Sequence, residues 1–299
     1  MTFDGVQADG LTPLIRRLNQ SLLSLAAIGG ALKLQGAGLE AHPAVADEMA
    51  AALIAMGAPT VTNLSPDETA QGLGLIRTFF IEARDLLEAP DRAPGWTYED
   101  PAILQGIGSS SAGMVERMTR LADERPWLAE LLARKGAVLD IGTGVGGVAL
   151  AAAGAWPAKT VLGIDLWAPS LVLAEQNRTG HSCAGRVAFR NQALQDFADT
   201  DAFDLIWLPT PFISGDVVMQ ALPSLLRALR PGGGIIAGVL PSPPDPLGHA
   251  LARLRTIRNG GHPWSCDGMA ELLTRHDFDS VEVPANQAGM YFVLGRRAR

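Results

Sequence analysis

The chain has 299 residues, 47% of them hydrophobic and 18% charged, so it is long and apolar enough to bury a sizeable core. Its net charge of -7 and the absence of any run of Lys or Arg disfavour a nucleic acid as its partner. Two cysteines, Cys183 and Cys266, are too few for a disulfide framework and lie in no metal-binding spacing, so we expect free thiols, a reducing compartment and no metal.

The most apolar stretch runs from Leu22 to Leu32, and it is too short to span a bilayer. Asp4 and Asp9 in the polar lead before it argue against a secretory signal peptide. We therefore expect a cytoplasmic protein with no membrane segment.

Residues 1–95 are predicted to form an all-helical domain that caps a substrate, mediates dimerisation, or does both. Its first helix carries an apolar seam whose members recur in alternating steps of four and three: Leu11, Ile15, Leu18, Leu22, Leu25, Gly29 and Leu32. This seam packs either on the subunit's own helices or on a second copy in a homodimer, and the spacing does not separate the two cases.

Two further helices follow. One covers Ala44 to Met56 and ends before Gly57. The next begins at Ser65 with a capping box to Glu68 and runs to Leu87.

Residues 96–134 are predicted to be a helical linker with a lid. Tyr98 and Gln105 precede the stretch Gly106 to Ser111, where glycine and serine disfavour a helix. We expect this stretch to be a flexible loop that closes over a ligand, with Tyr98 and Gln105 in contact with it; a plain connector is the alternative. Helices over 114–121 and 126–134 complete the region.

From residue 135 to 299, short apolar runs alternate with helix-sized segments, which predicts an α/β fold with a doubly wound parallel sheet. The predicted strands are Ala137 to Ile141, Thr160 to Ile164, Arg186 to Phe189, Phe203 to Leu208 and Gly234 to Leu240. Ligands of such sheets bind at the carboxyl ends of the strands.

The end of the first strand carries the sharpest motif. Gly142, Gly144 and Gly147 match G-x-G-x-x-G, and Asp165 follows at the end of the second strand, where a carboxylate can accept both hydroxyls of a ribose. The pattern predicts a cofactor that contains a nucleoside. Taken literally, it also suits a nicotinamide dinucleotide, so an NAD(P)-dependent oxidoreductase is one alternative.

The run from Val138 to Gly146 resembles motif I of the class I S-adenosylmethionine-dependent methyltransferases, in which an acid lies two positions before the first glycine, here Asp140. The run Val161 to Leu166 is similar to the second motif of that family, and Leu229 to Ile236 to the turn before its fifth strand. Two predicted strands, over 278–284 and 290–296, resemble its closing antiparallel pair. The resemblance implies a Rossmann-like fold over residues 135–299 and S-adenosyl-L-methionine as cofactor.

The same resemblance assigns roles to residues at the strand ends. Asp140 favours the amino group of the cofactor's methionine part, the backbone of Gly142, Thr143 and Gly144 lines that part, and Asp165 with Leu166 lies at the ribose. The family acid after the third strand is replaced by Ala193, which leaves Gln192 and the backbone near Leu194 for the adenine.

The acceptor side departs from the known patterns. After the fourth strand, Leu208, Pro209 and Thr210 are expected to form a rigid wall beside the methyl donor, and a loop that its prolines merely stiffen is the alternative. The N-P-P-Y motif of amino-methylating relatives is missing. The histidine that plant-type and related bacterial O-methyltransferases carry there is missing too. His262 is the best remaining imidazole for a catalytic base, and a surface-loop histidine is the alternative.

We therefore expect methyl transfer by in-line displacement to a small-molecule or peptide acceptor of secondary metabolism. A methyltransferase fold that binds the cofactor without methyl transfer is the other alternative.

Overall fold

The computed structural model describes residues 10–58, 64–285 and 289–299, and it divides the chain into two compact units, Met1–Arg84 and Asp85–Arg299. Asp4 and Asp9, on which the argument against a signal peptide depends, lie outside the described residues. Part of the loop between the predicted closing strands, residues 286–288, does so as well.

The first unit consists of α1 (Leu11–Ala37), α2 (Pro43–Ala55) and most of α3 (Pro66–Glu88). The predicted capping box at the start of α3 is confirmed: the Ser65 backbone N–H donates to Glu68 Oε2 at 2.8 Å, and the Glu68 N–H donates to Ser65 Oγ at 3.2 Å. These bonds satisfy two backbone donors that a bare helix start would leave without partners.

The apolar seam of α1 is covered at one end only. Gly29 and Leu32 are buried, and a Cβ on Gly29 would lie 3.0 Å from the Ile76 side chain, so α1 and α3 approach closely there. The seam residues nearer the start of α1 are exposed: Leu11 (73%), Ile15 (56%), Leu18 (56%) and Leu22 (48%). Among the described residues, no helix is both long and apolar enough to cross a bilayer.

The second unit is built around a sheet. Its elements in chain order are α4 (Pro101–Asp123), α5 (Pro126–Ala133), β1 (Gly136–Ile141), α6 (Gly147–Ala155), β2 (Lys159–Asp165), α7 (Ala168–Thr179), β3 (Val187–Asn191), β4 (Phe203–Pro209), α8 (Gly215–Ala228), β5 (Leu229–Val239), α9 (Pro246–Arg258), α10 (Cys266–Arg275), β6 (Asp279–Glu282) and β7 (Tyr291–Arg296).

The seven strands are ordered β3-β2-β1-β4-β5-β7-β6. Strands β1 to β5 are parallel, and β7 runs antiparallel to both β5 and β6. The predicted α/β fold with a closing antiparallel pair is therefore confirmed. Because the order reverses between β1 and β4, the carboxyl ends of these two strands flank the crevice in which such sheets bind ligands.

Both faces of the sheet are covered. Leu139 and Ile206 belong to a core cluster shared with α8 and α10, whereas Val138 and Leu205 belong to a second cluster shared with α4 and α6. Successive side chains of one strand point to opposite faces, so strands buried on both sides read as continuous apolar runs.

The predicted flexible stretch from Gly106 to Ser111 is wrong: it lies inside the continuous helix α4, which Asp100 caps by accepting from Ala102 N–H at 2.7 Å. The serine hydroxyls donate back to carbonyls of their own helix, as Ser109 does to Gln105 O at 2.9 Å. Gly108 packs so tightly on the loop after β1 that a Cβ there would lie 2.1 Å from Val145 Cγ2. Tertiary packing thus overrides the weak helix propensity of this stretch.

Candidate active site

The loop after β1 contains three glycines with left-handed backbones, Gly142 (φ 61°), Gly144 (φ 57°) and Gly146 (φ 81°). Such torsions are costly for residues that carry a Cβ. A Cβ on Gly144 would have no neighbour nearer than Gly142 O at 4.0 Å, so the space beside this part of the loop is open. A ligand can therefore approach the backbone at the carboxyl end of β1.

The last two glycines of the loop serve packing instead. A Cβ on Gly146 would lie 2.6 Å from the Phe189 ring, and one on Gly147 would lie 2.2 Å from Gly108 O. Helix α6 begins at Gly147, directly against α4. The glycine motif therefore combines an open half that faces a ligand with a closed half that holds α4 and β3 against the loop.

Asp165, the last residue of β2, is held by backbone donors from two segments. Its Oδ2 accepts from Gly144 N–H at 2.7 Å, and its Oδ1 accepts from Trp167 N–H at 2.7 Å. Burial raises the pKa of this carboxyl, while its backbone hydrogen bonds act in the opposite direction. A carboxylate oxygen has about two lone-pair sites, so each oxygen keeps one for a further donor. Two adjacent ribose hydroxyls match that pair of acceptors.

Asp140 is only 1% exposed, and its Oδ2 accepts from the Thr143 hydroxyl at 2.6 Å. Burial raises the pKa of Asp140 to about 7; the Thr143 hydrogen bond opposes this shift, and the charge of Asp165 adds to it. Thr143 also anchors the loop through its N–H, which donates to Ile164 O at 3.0 Å. A cation bound near this carboxyl would favour its ionised form.

The residues predicted at the ribose and at the adenine lie at the ends of β2 and β3. Leu166 is 68% exposed next to Asp165, and Leu194 is buried in a short 3₁₀ turn. Gln192 already uses both ends of its amide, donating to Asp196 O and accepting from Arg190, each at 3.0 Å. Leu166 therefore offers a free apolar face, whereas Gln192 would have to exchange partners to bind a ligand.

Leu208 and Pro209 end β4, and both are buried. The Leu208 side chain belongs to the sheet core, so only its backbone faces the strand end. Pro209 lies beside the glycine loop, since a Cβ on Gly142 would be 3.7 Å from Pro209 Cγ. The Thr210 hydroxyl donates to Gly238 O at 2.7 Å and fixes the turn that follows.

Tyr98 and Gln105 connect the region before β1 to helix α7 and to Trp167, the residue just before that helix. The Trp167 indole N–H donates to Tyr98 O at 2.8 Å. Gln105 exchanges two hydrogen bonds with Asn177, at 2.9 and 3.0 Å, and Asn177 also donates to Val145 O at 2.9 Å. Sequence reasoning missed Trp167 and Asn177: the position of Trp167 just after Asp165 was a usable signal, and Asn177 in mid-helix gave none. Contact of Tyr98 and Gln105 with a cofactor remains a prediction.

His262 lies in the loop after α9, next to the chain that follows β4. A Cβ on Gly215, the first residue of α8, would lie 3.2 Å from the His262 side chain. Gly261 packs even more closely on the turn after β4, where a Cβ on it would be 2.0 Å from Pro211 O. The His262 ring lies 4.3 Å from the Trp264 ring. The fold thus brings an imidazole to the segment after β4, which has no histidine of its own.

Comparison with known proteins agrees with this geometry. Residues 138–233 match the family model described as a methyltransferase domain. A release factor glutamine methyltransferase from Rhodopirellula baltica is 33% identical over 102 residues, which are 34% of this chain and 34% of that protein. The chain thus matches only about a third of that relative's length.

Two solved structures share the fold over almost the whole chain. An O-methyltransferase family protein from Burkholderia thailandensis has a TM-score of 0.67 at 15% identity and covers 97% of this chain and 99% of its own. Human N-acetylserotonin methyltransferase, solved with S-adenosylmethionine, has a TM-score of 0.63 at 15% identity and covers 99% and 100%.

Residues 138–233 are therefore a methyltransferase domain, and the chain shares its fold with solved methyltransferases. In this chain, the glycine loop, Asp140 and Asp165 occupy the strand ends where the sequence motifs predicted them. The helical region before the sheet is also part of the fold it shares with the two solved structures.

Proposed function

We propose that this methyltransferase moves a methyl group from S-adenosylmethionine to a nucleophilic atom of a small-molecule acceptor. The observation that carries the proposal is the Asp165 carboxylate, fixed by Gly144 and Trp167 N–H groups beside an open, left-handed glycine backbone. When bound, the cofactor supplies an electrophilic methyl group on a sulfonium. The chain's own residues bind it, orient it and exclude water.

Different residues of the site would bind different parts of the cofactor. Asp165 would accept the two ribose hydroxyls, and the open backbone from Gly142 to Gly144 would line the methionine part. Asp140, which accepts a hydrogen bond from the Thr143 hydroxyl, would supply negative charge near the amino group. Leu166 would lie against the adenine with its exposed side chain.

A small-molecule acceptor fits the chain better than a nucleic acid, because the net charge is -7 and no basic run is present in the sequence. The relative solved with its cofactor, human N-acetylserotonin methyltransferase, is named for a small molecule and has the same fold over the full length. A peptide acceptor is the competing outcome of an acceptor screen.

His262 is our candidate for the proton acceptor when the nucleophile is a hydroxyl. It is exposed, and it adjoins the turn after β4, next to the Pro209 wall. Replacing His262 with Ala should lower kcat strongly, with little change in cofactor affinity, whereas His42→Ala, at an exposed histidine before α2, serves as a control. Equal activity of H262A and the parent protein would show that His262 is an ordinary loop residue without a catalytic role.

The exposed half of the α1 seam supports a homodimer. Leu11, Ile15 and Leu18 are each more than half exposed on one stripe of the helix, and burial of such a stripe against a second copy would remove apolar surface from water.

Isothermal calorimetry with S-adenosylhomocysteine, followed by incubation with methyl-labelled cofactor and a small-molecule extract, tests the main proposal. We expect saturable binding and a product heavier by one methyl group. Failure to bind S-adenosylhomocysteine, with binding of NAD(H) instead, would support the oxidoreductase alternative. Binding without label transfer to any extract would support the alternative of a cofactor-binding protein.

A further inference from the structure

A small cavity lies beside the segment that carries His262. It has a volume of about 110 Å³ and is bounded by the turn after β4, the end of β5, helix α9 and the loop 262–265. Ligand pockets typically measure about 300 to 1,000 Å³, so this cavity accommodates one functional group of a ligand rather than a whole substrate.

Trp264 is one of the residues that line this cavity, and it carries a buried donor with no acceptor. The indole Nε1 of Trp264 lies out of contact with solvent and has no hydrogen-bond partner among the described residues. Tryptophan offers this single N–H and cannot accept. Leaving such a group unpaired is costly, so a ligand that brings an oxygen acceptor gains an interaction that water in bulk does not already provide.

The ionisable groups that line the cavity are all basic. They are Arg253, His249 and His262, and no Asp or Glu side chain is among the lining residues that the structure describes. Arg253 is exposed and makes no ion pair with the described residues, while His249 Nδ1 lies 2.5 Å from Ser242 Oγ. Arg253 and His249 are one helical turn apart in α9, so they share a face of that helix.

From the orphan indole N–H and the lone guanidinium we infer that this cavity binds a carboxylate carried by the methyl acceptor. The Trp264 N–H and the Arg253 guanidinium donate to the carboxylate oxygens, and the adjoining His262 faces the part of the acceptor that is methylated. The inference rests on the proposed function. It adds that the acceptor is an organic acid with a nucleophilic atom near its carboxylate.

The same arrangement makes a specificity prediction. A primary amide or methyl ester of the same acid keeps an oxygen acceptor for the indole but loses the charge that Arg253 recognises. The neutral analogues should therefore bind far less tightly than the acid.

The test uses the indole N–H signals of ¹⁵N-labelled protein, with benzoate as the probe and benzamide as its neutral match. The Trp264 signal is assigned from its loss in Trp264→Phe, which keeps an aromatic ring and removes the donor together with part of the indole's volume. Benzoate should shift this signal saturably, and benzamide should bind at least about tenfold more weakly, as expected for loss of one charge-assisted interaction.

Three variants separate the contributions. Arg253→Met and Trp264→Phe should each weaken benzoate binding by about tenfold, because each removes one donor to the carboxylate. Arg275→Met is the matched control, since Arg275 is an exposed arginine on α10 whose partner is Glu271. All three should retain the parent affinity for S-adenosylhomocysteine and the parent melting temperature within error.

Each result decides something. No saturable benzoate shift at Trp264, equal affinity for benzoate and benzamide, or an unchanged benzoate affinity in Arg253→Met overturns the inference. Normal S-adenosylhomocysteine binding in that case leaves the proposed cofactor site intact. If the parent protein does not bind S-adenosylhomocysteine but shows the benzoate shift, the proposed function is refuted and the cavity is an anion site only.

Discussion

Replacing Asp165 with Ala tests the proposed cofactor site most directly. Each carboxylate oxygen already accepts one backbone N–H at 2.7 Å and keeps one site for a ribose hydroxyl. Two hydrogen bonds to a charged acceptor contribute about 1.5 to 3 kcal/mol each, and water that replaces the carboxylate returns part of this. We therefore expect a net loss of about 1.4 to 2.8 kcal/mol, a tenfold to hundredfold higher Kd for S-adenosylhomocysteine.

Calorimetric titration measures this Kd, and circular dichroism shows whether the variant is folded. Asp165→Asn is not a neutral replacement, because its amide NH₂ would face either the Gly144 or the Trp167 N–H, and it should also bind weakly. Asp123→Ala, at the exposed end of α4, is the matched control and should bind like the parent. A folded Asp165→Ala variant with the parent Kd would remove Asp165 from the site and refute the motif assignment.

Three other predictions concern packing, protonation and assembly. Gly108→Ala forces a Cβ to 2.1 Å from Val145 and should lower the free energy of unfolding, measured by urea titration, by about 1 to 3 kcal/mol. Gly106→Ala, where a Cβ has no neighbour within 4 Å, should raise it by about 0.5 to 1 kcal/mol, and destabilisation by both changes would contradict the packing argument. Because burial raises the pKa of Asp140 to about 7, this carboxyl is partly protonated in the free protein at neutral pH. S-adenosylmethionine should therefore bind more tightly as the pH rises through 7, with a release of protons that calorimetry in buffers of different ionisation heat detects. Asp140→Asn should abolish this proton release; if the release persists in the variant, it comes from another group. Leu18→Glu on the exposed seam should convert a dimer into a monomer in analytical ultracentrifugation with little change in melting temperature, and a parent protein that is already monomeric would refute the dimer.

Asp140 also affects the stability of the free protein, and the sign follows from its raised pKa. Between the ordinary value of 3.8 and about 7, the folded state holds a proton that the unfolded state has released. This contribution to stability is therefore complete below about pH 4 and is lost as the pH rises through 7.

Local chemistry was enough to predict the frame of this protein. The alternation of apolar runs with helix-sized segments predicted the parallel sheet, and the spacing of Gly142, Gly144 and Asp165 predicted which strand ends carry the candidate cofactor site. The Ser65 and Glu68 capping box was likewise readable, since its two partners are three residues apart. In each case the decisive interactions are local, or they follow from rules of strand order that hold for any doubly wound sheet.

What only the tertiary structure decided depends on contacts between distant segments. The stretch Gly106 to Ser111 looked like a loop from its propensities, yet it is helical because Gly108 fits against the glycine loop of another segment. His262 meets the chain after β4 through the close packing of Gly261 on Pro211, and Arg253 and Trp264 come to one cavity from different elements. A single sequence records propensity and periodicity, but it does not record which side chains tertiary packing places at van der Waals distance, and the proposed acceptor side of this site depends on such contacts.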